Sequence, residues 1–173
     1  MTAFEDSKQF RDVLKYVDVA SVMCSEEVHA AAPDAAKQIV ALGMPPSYAD
    51  WFTPVSEVIL WPTAVGRTYD CDRKTRTIGS ACLIGTNIFG DIVVDADTGC
   101  IVDLDRTSGQ SHLINTSYAR FLYFVGRMNK SSMCQYADAS SLFAEFSEID
   151  PIPMKNNNGI WAVTTFEAEE GMY

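Results

Sequence analysis

The chain of 173 residues lacks long apolar runs, and we expect no targeting signal that would direct it into or across a membrane. None of its hydrophobic stretches approaches the roughly 20 residues that a membrane-spanning helix requires. The N-terminal sequence MTAFEDSKQFRDVL is acidic and amphipathic, without the basic start and continuous apolar segment of a signal peptide. Because 47% of the residues are hydrophobic, we expect one globular domain over residues 1–173. We expect it in the cytoplasm, without a membrane partner.

Motifs for catalysis and cofactor binding are also missing. The stretch GTNIFGD has neither the lysine of a phosphate-binding loop nor the third glycine of a dinucleotide fingerprint, and no GxSxG nucleophile motif occurs. The cysteines are odd in number and form no CxxC pair, which favours free thiols over disulfides or zinc ligands: Cys24, Cys71, Cys82, Cys100 and Cys134. We therefore expect no catalytic residue, no metal and no cofactor. A cysteine meeting His29 or His112 in space is the enzymatic alternative, with Cys24, Cys82 or Cys134 as the nucleophile.

Basic residues are too few for a nucleic-acid-binding surface. The chain has 13 basic and 23 acidic residues, a formal net charge of −10. Binding to phosphates depends on clustered lysine and arginine, so this charge argues against nucleic acid as a partner. An acidic surface accelerates the approach of basic proteins. The alternative is that the negative charge serves only to keep the protein soluble.

The most acidic stretch, GDIVVDADTGCIVDLD at residues 90–105, contains five aspartates and no basic residue. It fails as a calcium loop of the EF-hand type, because neither possible alignment places glycine at the sixth position. The sequence instead predicts a hairpin in which about 92–95 pair with 100–104. Asp95 and Asp97 then serve the turn, while Asp103 and Asp105 share one face of a strand. We expect this hairpin to face water.

The arrangement of apolar residues predicts helices at both ends of the chain and strands between them. Such an order is typical of an α+β domain with an antiparallel or mixed sheet. Residues 67–77 mix both charge signs and indicate a solvated strand edge or loop. The N-terminal half is expected to hold helices over 3–17 and Pro33–Leu42, a short helix within 44–52, and strands within 55–62 and 77–86.

The C-terminal half is expected to be helical. Asn115 and Ser117 are interpreted as structural caps of a helix that follows them, and replacing Asn115 by alanine should cost about 1 kcal/mol. A further helix over 139–148 should end at the Asp-Pro pair that follows it. A turn at 156–159 then leads to a last segment ending at Gly171, predicted as a helix with a strand as the alternative.

Four segments together resemble the SUKH superfamily, and the tail resembles its fourth branch. They are ALGMPPSYADWF, TIGSACLIGTNIFGDIVVDADTGCIVDLD, SHLINTSYARFL and EIDPIPMKNNNGIWAVTTFEAEEG, in this order over residues 41–171. The similarity lies in the order and spacing of the segments. Where the branch often carries an aspartate or glycine pair before its second strand, this chain has Asn87, Ile88 and Phe89.

The resemblance implies a partly open, curved sheet flanked by helices, and a protein without catalytic residues. Many members of the superfamily are bacterial immunity proteins, which bind and neutralise a toxin such as a nuclease or nucleic-acid deaminase. A general interaction or scaffold module of the same fold is the alternative. For a basic toxin as the partner, we expect contacts from Asp103 and Asp105 first, and then from Glu57, Tyr69, Asp70, Asp72 and Asp91.

Overall fold

A computed structural model describes residues 4, 7–15, 17–48, 52–133, 139–156 and 159–161. The helices within these ranges are α1 (Lys8–Leu14), α2 (Glu26–Ala31), α3 (Pro33–Leu42), α4 (Tyr118–Met133), α5 (Ala139–Ile149) and α6 (Pro151–Met154). The strands are β1 (Met23–Cys24), β2 (Thr53–Leu60), β3 (Thr68–Cys71), β4 (Lys74–Thr77), β5 (Ala81–Thr86), β6 (Gly90–Asp95), β7 (Ile101–Asp105) and β8 (Ser111–Asn115). A short 3-10 helix, Pro62–Ala64, follows β2.

Six of the strands form one mixed sheet in the order β1-β2-β5-β6-β7-β8. The β1–β2 pair is parallel, and the other neighbours are antiparallel. The helices flank this sheet, and β3 and β4 form a separate hairpin. The chain is therefore an α+β protein, as the sequence predicted.

Both faces of the central strands are covered by apolar side chains. On one face, Ile92 and Val94 of β6 belong to a core that includes residues of α1 to α6. On the other face, Val93 lies in a second core with Tyr69 of β3 and Ala64 of the 3-10 helix. Every residue of β6 is buried as a result. The predicted β6–β7 hairpin is confirmed in its register, with Val93 opposite Val102, but the expectation that it faces water is wrong.

The ends of α3 follow directly from its sequence. Pro33 occupies the first turn, where its missing N–H is not needed, and Gly43 follows the last helical residue with φ of 78°. The prediction of Pro33–Leu42 is thus confirmed. The N-terminal helix is shorter than the predicted 3–17. The helix, α1, begins after Ser7, whose hydroxyl accepts a hydrogen bond from the Phe10 N–H.

Residues 67–77 include the solvated strand edge that the sequence predicted, β4, together with a half-buried strand, β3. They contain the β3–β4 hairpin, and its two turn residues, Asp72 and Arg73, both adopt positive φ. Two positive φ values in a two-residue loop suit the twist of a hairpin. The outer strand β4 is exposed at every position, whereas β3 alternates between exposed and buried residues.

Three other segments bear on the predictions. Residues 44–48 hold no helix, and 49–51 of the predicted short helix lie outside the described residues. The helix predicted over 139–148 is confirmed as α5 and ends at Asp150, but a further short helix, α6, follows immediately. Ile160 and Trp161 are helical, and the rest of the predicted last segment lies outside the described residues.

Asn115 and Ser117 have different roles, although both were predicted to be caps. Ser117 does cap α4, because its hydroxyl accepts from the Arg120 N–H at 3.3 Å. Asn115 is fully buried and does not cap the helix. Its side-chain amide N–H donates to Asp150 Oδ2 at 3.1 Å, and its side-chain oxygen accepts from the Trp161 indole N–H at 2.9 Å. Asn115 therefore joins β8 to the segment after α5.

Candidate functional site

Two of the seven predicted contact residues are buried. Tyr69 is 2% exposed, and its hydroxyl donates to Asp95 Oδ2 at 2.7 Å. Asp91 is 5% exposed; its carboxylate accepts from the Trp61 indole at 3.0 Å and forms an ion pair with Arg106. Both side chains hold the layers of the protein together. Their interpretation as surface contacts for a partner is therefore corrected.

Asp95 has the turn role that the sequence predicted for it. Its carboxylate accepts hydrogen bonds from the Asp97 N–H at 3.1 Å and the Thr98 hydroxyl at 2.8 Å. It is also buried, because the turn between β6 and β7 packs beneath Tyr69. The carboxylate thus fixes the turn and the β3–β4 hairpin at once.

Three other predicted residues are exposed but lie apart from β7. Glu57 is on β2, three strand positions from β7 and therefore roughly 14 Å away. Asp70 and Asp72 are exposed on the β3–β4 hairpin, beside three exposed basic residues, Arg73, Lys74 and Arg76. The seven predicted residues therefore do not form one acidic face.

The last two, Asp103 and Asp105, remain together at the end of β7. They lie on one face of the sheet and alternate with the buried Val102 and Leu104, as predicted. Both are partly exposed. We call this pair the β7 carboxylates.

The loop between β5 and β6 lies beside the β7 carboxylates, and sequence reasoning did not identify it as a site. We call residues 87–89 the Asn87 turn. The Asn87 side-chain oxygen accepts from the Phe89 N–H at 2.8 Å and from the Gly90 N–H at 2.6 Å. This cap holds Ile88 at 68% exposure and Phe89 at 60% exposure. The signal in the sequence was an apolar pair where a hairpin loop normally carries polar residues.

Hydrogen bonds join the Asn87 turn to β7 and the loop that follows it. The Asn87 amide donates to Asp103 Oδ1 at 3.2 Å, and the Arg106 N–H donates to the Phe89 carbonyl at 3.0 Å. The Arg106 guanidinium pairs with Asp91, so its charge is balanced locally. We call Ile88, Phe89 and the β7 carboxylates the turn surface: an ordered apolar pair beside two negative charges.

The β7 carboxylates differ in their electrostatic environment. Burial raises the pKa of Asp103, and the hydrogen bond from Asn87 and the nearby His112 only partly oppose this effect. The Ser108 hydroxyl and the N–H groups of Ser108 and Thr107 lower the pKa of Asp105. The Asp105 carboxylate therefore stabilises its turn, whereas that of Asp103 is held in its charged form at a cost in stability.

At about pH 7, we expect the free energy of unfolding of Asp103→Asn to equal or slightly exceed that of the wild type. The folded-state pKa of Asp103 lies above the unfolded value of 3.8, so its contribution to stability is lost as pH rises through the folded pKa. The advantage of the asparagine should therefore disappear as the pH approaches 3.8. Urea unfolding at several pH values measures both effects.

Asp105→Asn is the matched control and should behave in the opposite way. The pKa of Asp105 is lowered, so its carboxylate stabilises the fold above 3.8 and loses that contribution as pH falls through the folded pKa. The variant should be less stable than the wild type at neutral pH. Equal destabilisation by both substitutions would refute the assigned difference between the two carboxylates.

A groove of about 490 Å³ lies between the β3–β4 hairpin, β8 and α6. Cys71 and His112 both line it, which is the pairing that a cysteine-dependent enzyme would need. Within the described ranges, however, no hydrogen bond joins these two residues. Burial, followed by the neighbouring Cys100, raises the pKa of Cys71 to about 11. This is the reverse of the lowered pKa that makes a thiol nucleophilic.

The cysteines named as candidate nucleophiles are no better activated. Burial raises the pKa of Cys24 and brings that of Cys82 to about 11, while Cys134 lies outside the described residues.

In the part of the chain that the structure describes, no three histidine, cysteine or acidic side chains are grouped so as to hold a metal ion. The described helices include none with the length and apolarity to span a membrane.

Comparison with known proteins identifies no relative of this chain. No family model, no curated protein and no solved structure matches the chain.

Proposed function

We propose that this protein binds and neutralises a basic toxin, the immunity role that its resemblance to the SUKH superfamily implies. The observation that carries the proposal is the pair of β7 carboxylates, which stand partly exposed and fixed at the end of a rigid sheet. Asp103 in particular keeps its place although burial raises its pKa, and the hydrogen bond from Asn87 offsets this cost only in part. Groups held at such a cost are candidates for function.

The chemistry of the partner follows from these charges. A nuclease or a nucleic-acid deaminase presents lysine and arginine to the phosphate backbone, and such a surface attracts carboxylates. Asp103 and Asp105 are two residues apart on one strand, which spaces them by roughly 7 Å. The net charge of −10 further accelerates the encounter through long-range attraction.

Inhibition by binding requires no chemistry from the inhibitor itself. The raised pKa values of Cys24, Cys71 and Cys82 support this aspect of the proposal, because thiols with raised pKa values are poor nucleophiles. The proposed protein acts as a rigid surface in the compartment where its toxin would cause damage, the cytoplasm.

The test uses the product of the gene next to this one, which the proposal expects to carry a basic toxin domain, and the double variant Asp103→Asn/Asp105→Asn. We expect the wild-type association rate to fall about 10-fold or more from low to high salt, because salt screens charge steering. The variant should associate more slowly at low salt and depend less on salt. Stopped-flow fluorescence measures both rates.

A matched control removes two negative charges elsewhere. Asp18 and Glu148 are exposed, and Asp18→Asn/Glu148→Gln changes the net charge by the same two units. This control should retain most of the wild-type rate and salt dependence. A wild-type association rate that ignores salt would remove the electrostatic basis of the proposal. Binding without rescue of cells from the toxin would favour the scaffold alternative.

A further inference from the structure

We infer that the Asn87 turn is the apolar anchor of this interaction, and that Ile88 and Phe89 enter an apolar pocket inside the basic face of the toxin. The inference rests on the proposed function and deepens it, because it names a contact that charge alone does not supply. It concerns a segment in which the chain departs from the pattern of the superfamily that it resembles.

Hydrogen bonds hold the backbone of the Asn87 turn in one conformation. The Asn87 N–H donates to the Gly90 carbonyl at 3.0 Å, and the Asn87 side chain caps the N–H groups of Phe89 and Gly90. The Phe89 carbonyl is held from the other side by Arg106. Ile88 and Phe89 are therefore presented by a fixed backbone, which reduces the entropy lost on binding.

Ile88 and Phe89 are exposed as a pair. Among the described residues, Met23 and Val65 are also more than half exposed, but neither is next to another exposed large apolar residue. The Asn87 turn instead exposes two large apolar side chains in succession, with no role in either core. Buried aromatic anchors surrounded by polar groups dominate the energy of protein interfaces.

The β7 carboxylates place negative charge beside the apolar pair. Asp103 is hydrogen-bonded to Asn87 itself, and Asp105 follows on the same face of β7. Two guanidinium groups lie near the rim: that of Arg106 is paired with Asp91, and that of Arg67 donates to the backbone carbonyls of Asp105 and Gln110. The rim of the anchor therefore carries the two β7 carboxylates, with the Arg67 charge at one edge. Such a rim selects a basic protein over an acidic or neutral one. The partner that fits this surface is thus the basic toxin.

The experiment measures the dissociation rate of the complex between the toxin and Ile88→Ala or Phe89→Ala. We expect Phe89→Ala to raise this rate about 30-fold or more, the effect of losing an interface hot spot. The association rate and its salt dependence should remain close to those of the wild type, because no charge changes. Phe143→Ala, which removes a surface phenylalanine from α5, is the control and should leave dissociation unchanged.

A direct readout of contact accompanies the rates. A photo-crosslinking phenylalanine analogue at position 89 should capture the toxin, and the same analogue at position 143 should not. If Phe89→Ala dissociates like the wild type and position 89 captures nothing, the anchor is refuted while salt-dependent binding preserves the proposed function. If wild-type protein and toxin form no complex, both the function and its anchor are refuted.

Discussion

Replacing Asp150 by alanine should lower the free energy of unfolding by about 3–5 kcal/mol. The carboxylate is fully buried and accepts hydrogen bonds from the Asn115 amide at 3.1 Å and from the Thr116 N–H and hydroxyl at 2.8 Å each. Arg120 lies 3.5 Å away and adds a positive charge. Without the carboxylate, these donors would lose their common acceptor, and unsatisfied buried donors are costly.

Chemical denaturation monitored by tryptophan fluorescence measures this loss, since the Trp161 indole is bonded to Asn115. Glu148→Ala is the control: it removes an exposed carboxylate two residues away and should change stability by about 0.5 kcal/mol or less. If both variants lost the same small amount, Asp150 would not be the centre of the contacts between β8 and the segment after α5.

Gly90→Ala should destabilise the protein by about 3 kcal/mol or more and displace the Asn87 turn. A Cβ atom at this position would lie 2.1 Å from the Leu104 carbonyl oxygen and 2.8 Å from its carbon. These are backbone atoms of the paired strand β7, so relief requires β6 and β7 to separate. Because Asn87 caps the Gly90 N–H, the turn surface should move with the strand.

Thermal unfolding together with the rate of toxin dissociation measures both consequences. The matched control is Gly79→Ala, whose Cβ would meet a flexible side-chain atom, Asp97 Oδ2, at 2.7 Å. The Asp97 side chain can move aside, so this variant should remain close to the wild type in stability and binding. A Gly90→Ala protein that is as stable as the Gly79→Ala protein would contradict the close approach of β6 to β7.

Local signals in the sequence predicted several elements well. Pro33 and Gly43 mark the ends of α3, because proline and glycine restrict the backbone whatever surrounds them. The Asp-Pro pair at 150–151 ends α5 for the same kind of reason. The register of β6 and β7 also followed from the turn between them, which Asp95 fixes.

What the sequence predicted less well depends on layers that meet only in the folded chain. The sequence predicts β6 as one strand of a water-facing hairpin, although a nearly continuous apolar run is typical of a strand covered on both faces. Its second cover is the β3–β4 hairpin, whose mixed charges concealed the inward alternation of Tyr69 and Cys71. Asp91 was misplaced for a related reason, because its partners Trp61 and Arg106 are distant from it in the sequence and meet it only in the folded chain.

The candidate site was predicted only in part, for a related reason. Asp103 and Asp105 could be placed by strand alternation alone, and the structure has them on one face. The position of the Asn87 turn beside β7 could not be predicted in this way. It depends on the glycine at position 90 and on a hydrogen bond between residues 16 positions apart. Asn115 has a typical capping residue type and position, and only the fold shows its side chain turned towards Asp150.

The central claim is that the protein acts by presenting the turn surface to a toxin. Growth of cells that express the toxin tests it most directly, with wild-type protein or the variant Ile88→Ala/Phe89→Ala/Asp103→Asn/Asp105→Asn supplied in trans at equal, verified folded levels. We expect the wild type to restore growth and the fourfold variant to fail to restore it. Full rescue by the folded variant would contradict the claim.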